Sequence, residues 1–233
     1  MDYRQELKYI CSYGDIVILK NSLSAIMKVD ENMLGEQSYN IRSIYFDDTF
    51  DTCMDENENG YDNRMKVRIR IYGKQKSPIK LELKYKENGY TKKRSANISL
   101  QLCEKLMNGK RIEYIDTNGD PVLNLLYLYM HNNHLTPKVI VEYDRTVFVN
   151  ETGNVRITFD QNIRCSNRIE KIFEESIYPV SIMTAGKHIL EVKYDELLPG
   201  YIADVINRGN LRQTAFSKYY LSRMAMRGEF YEY

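Results

Sequence analysis

Tryptophan is absent from the chain, and cysteine (4), proline (5) and glycine (12) are sparse among its 233 residues. Each scarcity excludes something. Cys11, Cys53, Cys103 and Cys165 lie far apart with no CxxC pair, so neither a zinc site nor a disulfide framework is suggested. The prolines and glycines occur as single punctuation marks. With no linker, low-complexity tract or composition break, one domain over residues 1–233 is expected. No run reaches the ~18 apolar residues of a spanning helix. The opening Met1-Asp2-Tyr3-Arg4-Gln5-Glu6 holds no apolar signal core. The expected location is the cytoplasm, with a membrane partner left open. Net charge is lacking as well: 33 Lys+Arg stand against 32 Asp+Glu, leaving +1. A generic nucleic-acid or membrane-surface binder would carry a large basic excess, so no specific nucleic acid is expected as partner. A local basic site balanced elsewhere is compatible with that total. P-loop and dinucleotide glycine motifs are missing too.

What is present describes a globular protein, 43% hydrophobic and 28% charged. At this length roughly three quarters of the unfolded surface can be buried, so no staples are required. Alternation predicts strands over 4–10, 39–47, 65–72, 79–86, 91–98, 138–149, 155–164 and 188–194. Asn88-Gly89 is a strong hairpin signal. Helices are predicted over 16–28, capped by Asp15; over 49–59; from a Ser99 cap to Gly109; from Asp120-Pro121 to about 132; and over about 199–208 and 216–227. Eight strands in mostly antiparallel neighbours favour closure, because closure removes edges. The fold class is α+β around a closed eight-stranded antiparallel barrel with helices packed outside.

A charge pattern recurs on these strands. Glu6-Leu7-Lys8-Tyr9 returns as Glu82-Leu83-Lys84-Tyr85 and Glu191-Val192-Lys193-Tyr194. Residues two apart on a strand share a face. Arg68 and Arg70 share one likewise; Arg156 and Arg145 add to the set. A solvated sheet face explains any single strand. The set as a whole admits a second reading, a barrel lined by Lys8, Arg68, Arg70, Lys84, Arg145, Arg156 and Lys193. Such a lining repels itself and is costly to desolvate unless a polyanion fills it. Arginine forks suit phosphate, and carboxylates among them suit Mg²⁺ or Mn²⁺. His131 and His134 lack a third ligand and read as a frayed helix end. Lys92-Lys93-Arg94 reads as a solvated edge that could also feed a polyanion to the mouth.

Six segments in order carry a family resemblance: Arg4-Gln5-Glu6-Leu7-Lys8-Tyr9, Arg42-Ser43-Ile44-Tyr45-Phe46-Asp47, Lys66-Val67-Arg68-Ile69-Arg70, Leu81-Glu82-Leu83-Lys84, Leu190-Glu191-Val192-Lys193 and Phe216-Ser217-Lys218-Tyr219. Together they resemble the VTC domain, the catalytic module of vacuolar transporter chaperone polyphosphate polymerases, within the triphosphate tunnel metalloenzymes. The resemblance implies an eight-stranded tunnel that transfers the γ-phosphate of ATP to a growing polyphosphate chain with Mn²⁺ or Mg²⁺. It implies phosphate-binding roles for Arg68, Arg70, Lys84 and Arg156. Catalytic charge stabilisation falls to Lys8, Arg145, Lys193 and Lys218, and metal binding to Glu191, with Glu6 and Glu82 as weaker candidates. Without the family match, Lys218 reads as a solvated helix lysine. Arg4 replaces the first Glu of the wider superfamily's Glu-x-Glu-x-Lys, which favours the VTC branch. The accessory SPX domain and membrane helices of eukaryotic members have no counterpart here, so a stand-alone, bacterial-like member is expected. A triphosphatase acting on tripolyphosphate or nucleoside triphosphate and a non-catalytic polyanion binder are the alternatives.

Overall fold

The structure, a computed structural model, describes residues 5–33, 35–87, 90–209 and 211–230. Arg4 and the Asn88-Gly89 turn lie outside the described residues. In chain order the elements are β1 (Gln5–Ser12), α1 (Tyr13–Ser24), β2 (Lys28–Val29), β3 (Tyr39–Asp47), α2 (Thr52–Glu58), β4 (Arg64–Tyr72), β5 (Ile79–Glu87), β6 (Tyr90–Ile98), α3 (Leu100–Met107), α4 (Pro121–Asn132), β7 (Thr136–Asn150), β8 (Val155–Ser166), β9 (Val180–Ser181), β10 (Lys187–Tyr194), α5 (Gly200–Arg208), β11 (Arg212–Gln213) and α6 (Lys218–Met226). The eight expected strands are all present. Three two-residue strands bring the sheet to 11.

The expected closure does not occur. The order runs β11-β1-β10-β8-β7-β3-β4-β5-β6, and no pairing among the described residues joins β6 back to β1. The physical reason lies at the outer edge of β1. β11 takes it, with Tyr9 opposite Gln213 and Ile10 opposite Arg212, and the Thr214 N–H donates to the Lys8 carbonyl at 2.9 Å. The free edge of β6 carries exposed Lys92, Lys93 and Arg94, charges that discourage another strand from docking there.

Alternation assigns each strand two jobs. On β4, Val67, Ile69 and Ile71 are buried on the convex face under α3 and α4, while Lys66, Arg68 and Arg70 point the other way. The convex face of β7, β8 and β10 is covered by α1 and α5 through Phe148, Ile157, Phe159, Leu190 and Val192. Helix α1 starts earlier than expected because Ser12, not Asp15, is its cap. Asp15 completes the capping box by accepting from the Ser12 N–H at 2.7 Å. Not every helix keeps to the expected outside position, and Cys53 and Met54 of α2 join α6 in one cluster. α6 lies on the concave face, where Tyr219, Leu221, Met224 and Ala225 pack with Ile41, Tyr45, Val139, Val141 and Ile189. It closes part of the hollow with hydrocarbon and leaves the remainder to charged side chains.

A bulge decides which side chains enter that remainder. Glu142 faces Arg164 across β7 and β8, yet Asp144 faces Gln161, so β8 carries one extra residue between them. Asn162 sits there in the left-handed region (φ 53°). Because side chains alternate with period two, one inserted residue reverses the faces beyond it. Arg164 pairs with Glu142 on the convex side, whereas Asp160, Thr158 and Arg156 turn inward.

Candidate functional site

Every cation expected from the strands occupies this one concave surface. The register is continuous: Lys8 lies opposite Glu191, Lys193 opposite Arg156, Arg145 opposite Asp160 and Tyr39, Tyr45 opposite Arg68, and Lys66 opposite Lys84. Side-chain exposure runs from 9% at Arg70 to 33% at Arg156, well short of a solvated face. The sheet curls enough for side chains to meet across the hollow. Lys84 of β5 reaches Glu6 of β1 at 3.3 Å, and Lys193 of β10 reaches the same carboxylate at 3.6 Å.

The lining is not the self-repelling one the sequence suggested. Carboxylates of the same wall hold its cations. Glu82, 1% exposed, takes Arg68 at 2.6 Å, Arg70 at 3.7 Å and Lys93 at 3.2 Å. Asp160 takes Arg145 through two bonds of 2.6 and 2.7 Å, and Lys218 at 2.6 Å. Glu6 pairs with Lys8 at 3.0 Å, Glu191 with Lys193 at 3.0 Å and Arg145 at 3.6 Å, and Asp30 with Arg156 at 2.6 Å. Burial alone would raise the carboxyls of Glu191, Asp160 and Glu82. The surrounding ammonium and guanidinium groups override it and hold all three below the usual carboxylate range. Cations outnumber these acids, and Lys84 shows the excess. Burial, with Lys193 and Lys8 beside it, pulls Lys84 down to about 8.

Lys218 is half-buried, contrary to the solvated position its helix start suggested; its side chain is 12% exposed. The turn before α6 brings it in. Ser217 caps the helix, accepting from the Tyr220 N–H at 3.3 Å, and the Phe216 carbonyl accepts from Lys8 Nζ at 2.8 Å. α6 is lashed down from behind, where Asp51 accepts from Arg223 at 2.9 and 2.6 Å.

Sequence reasoning missed several residues of the hollow. Asp160 had no motif around it, and only the bulge turns it inward. Lys66 shares the face of Arg68 and Arg70, but alternation alone marks no role for it. Tyr45 and Tyr143 brace the guanidiniums, their hydroxyls accepting from Arg68 at 2.8 Å and Arg70 at 3.3 Å. Their signal was available, since each shares a face with its arginine's neighbour in the register.

The metal expectation meets a specific donor set. Among the described residues, no three metal-ligating side chains come together. Glu82 is held by Arg68, Arg70 and Lys93. Glu191 remains, inside the hollow and 5% exposed, with Glu6 near enough to perturb it. One or two carboxylates do not make a resident cage. They fit Mg²⁺ or Mn²⁺ that arrives on phosphate oxygens, since such ions commonly combine one or two carboxylates with substrate phosphates. His134 contacts Arg111 at 2.9 Å and joins no cluster. Among the described residues, no helix is long and apolar enough to cross a membrane.

The family profile of the VTC domain matches residues 3–227, nearly the whole chain. The chain belongs to the VTC domain family. Among solved structures, a candidate adenylate cyclase from Vibrio parahaemolyticus shares the fold with a TM-score of 0.51 at 12% identity, covering 94% of this chain and 97% of that one. A second candidate cyclase, from Bacillus halodurans, aligns at a TM-score of 0.49 and 12% identity, over 92% of this chain and 95% of that one. No curated protein sequence matches the chain. For this VTC domain the first neighbour shows a shared fold, here built as an open sheet.

Proposed function

We propose that this VTC domain is a phosphotransferase that moves the γ-phosphate of ATP onto the end of a polyphosphate chain held in the hollow. The observation that carries the reading is the convergence of eight expected cations, from six strands and α6, on one partly enclosed surface. Phosphoryl transfer asks little covalent chemistry of the protein; it asks for alignment and charge neutralisation. Arg68, Arg70, Lys84 and Arg156 bind the phosphates of donor and acceptor. Lys8, Arg145, Lys193 and Lys218 face the charge that grows on the bridging and transferred oxygens. Their carboxylate partners hold them in place before substrate enters, which lowers the reorganisation needed on binding. Glu191 would hold Mg²⁺ or Mn²⁺, which neutralises phosphate charge when bound.

Incubation with ATP and Mn²⁺, followed by a polyphosphate-stained gel, tests the reading. A long-chain product is expected. Orthophosphate alone would make water the acceptor, and unchanged ATP would reduce the site to a binder; either result overturns the polymerase. Glu191→Gln should abolish turnover with folding retained, and full activity in that variant would refute the metal role.

A further inference from the structure

Lys66 stands apart from the other cations of the hollow. It projects from β4 on the face of Arg68 and Arg70, opposite Lys84. Among the described residues, no carboxylate lies within ion-pairing distance of it, whereas each cation assigned a role above has one. Its Nζ donates to two neutral acceptors, Asn57 Oδ1 of α2 at 2.6 Å and Ser217 Oγ at 3.0 Å. The Tyr219 ring lies 5.8 Å away. An ammonium carries three N–H donors, so one remains unspent. The Cys53 thiol, which interacts with it, is pushed up to about 12 by burial and supplies no counter-charge near neutrality. A half-buried lysine whose ammonium has neutral partners and cationic neighbours is an electrostatic deficit that the fold leaves open.

The same turn explains where the deficit would be met. Ser217 immediately precedes Lys218, and Lys8 donates to the carbonyl of Phe216. Three lysines from three elements therefore meet at residues 216–218. We propose that Lys66 is an additional phosphate-binding residue, whose missing counter-ion is an oxygen of the condensed phosphate chain in the hollow. This rests on the functional reading above. Burial draws its ammonium down to about 7, in keeping with a site tuned to gain an anion. The competing role is purely structural, a neutral tether of α2 to α6.

Affinity and stability separate the two roles. Lys66→Met and Lys66→Gln both remove the charge, and Gln retains a donor for Asn57 and Ser217. Binding of tripolyphosphate by calorimetry and melting without ligand are measured for both, beside wild type and Lys66→Arg. Loss of one charge-assisted phosphate contact should weaken binding about tenfold, equivalent to ~1.4 kcal/mol. Ligand-free melting of the Gln variant should stay at or above wild type, and Arg should recover most of the affinity. Wild-type affinity in both neutral variants would overturn the proposal and spare the functional reading. A wild-type chain that binds no tripolyphosphate would overturn both.

Discussion

Asp160→Asn removes one charge and almost no volume from the most crowded part of the wall. Asp160 is fully buried, and it is the carboxylate that holds Arg145 bidentately and Lys218 at 2.6 Å. In its absence Arg145 keeps Glu191 at 3.6 Å, and Lys218 is left against the Tyr143 ring at 5.0 Å. Breaking a buried pair from one side costs about 3–5 kcal/mol, because the partner's charge stays behind unpaired. In a chain of this size each kcal/mol moves the melting temperature by roughly 2–4 °C, so a fall of roughly 6–20 °C is expected. Tripolyphosphate should reverse much of it by supplying the lost negative charge. Ligand at 100 times its dissociation constant adds about 2.7 kcal/mol to any fold that alone binds it. The acid limb of stability should change as well. Asp160 titrates below its ordinary value of 3.8, so its stabilisation is in force above that value and fades as pH falls through the lower folded value. The variant should lack this portion of the acid dependence. Circular-dichroism melts with and without tripolyphosphate, across acid pH, decide the matter. A ligand-free change of less than about 2 °C, below one kcal/mol, would refute the account of the wall as a set of buried pairs.

Two further outcomes follow from the same pairing. Arg68→Ala should melt lower, not higher, since relief of repulsion is outweighed by taking from Glu82, at 1% exposure, the closest of its three cations; a raised melting temperature would restore the self-repelling picture. Binding of ATP near pH 8 should take up protons. Burial draws Lys84 down to about 8 and Lys66 to about 7, so both are partly neutral there, and an incoming anion restores their charge. Calorimetry in two buffers of different ionisation heat reads the proton count directly, and release in place of uptake would contradict those environments.

The strands were legible because alternation is a local property, and Val67-Arg68-Ile69-Arg70 shows it plainly. The Ser99 and Asp120 caps were legible for the same reason: Ser99 accepts from the Leu102 N–H at 3.1 Å, and Asp120 from those of Val122 and Leu123. Closure was not legible. It turns on who claims the outer edge of β1, and two residues, Arg212 and Gln213, do so without any strand signature. The cation set could be read from the strands; its neutralisation could not. Glu82 lies beside Arg68 only across a hairpin, and Asp160 reaches Lys218 only after α6 has folded over the concave face. Lys218 needed the family match, since a lysine opening a helix has no local reason to be buried.

Asn162 sets a limit on how this strand can tolerate change in length. Deleting it would restore unbroken alternation along β8, rotating Asp160 and Arg156 toward the oily layer beneath α1 and α5, while Ile157 and Phe159 swung into the cation-lined hollow. Point substitutions there should be forgiven when a residue at ease in left-handed backbone is used, and a single-codon deletion should not. The charged surface is thus keyed to a count of residues as much as to their kinds.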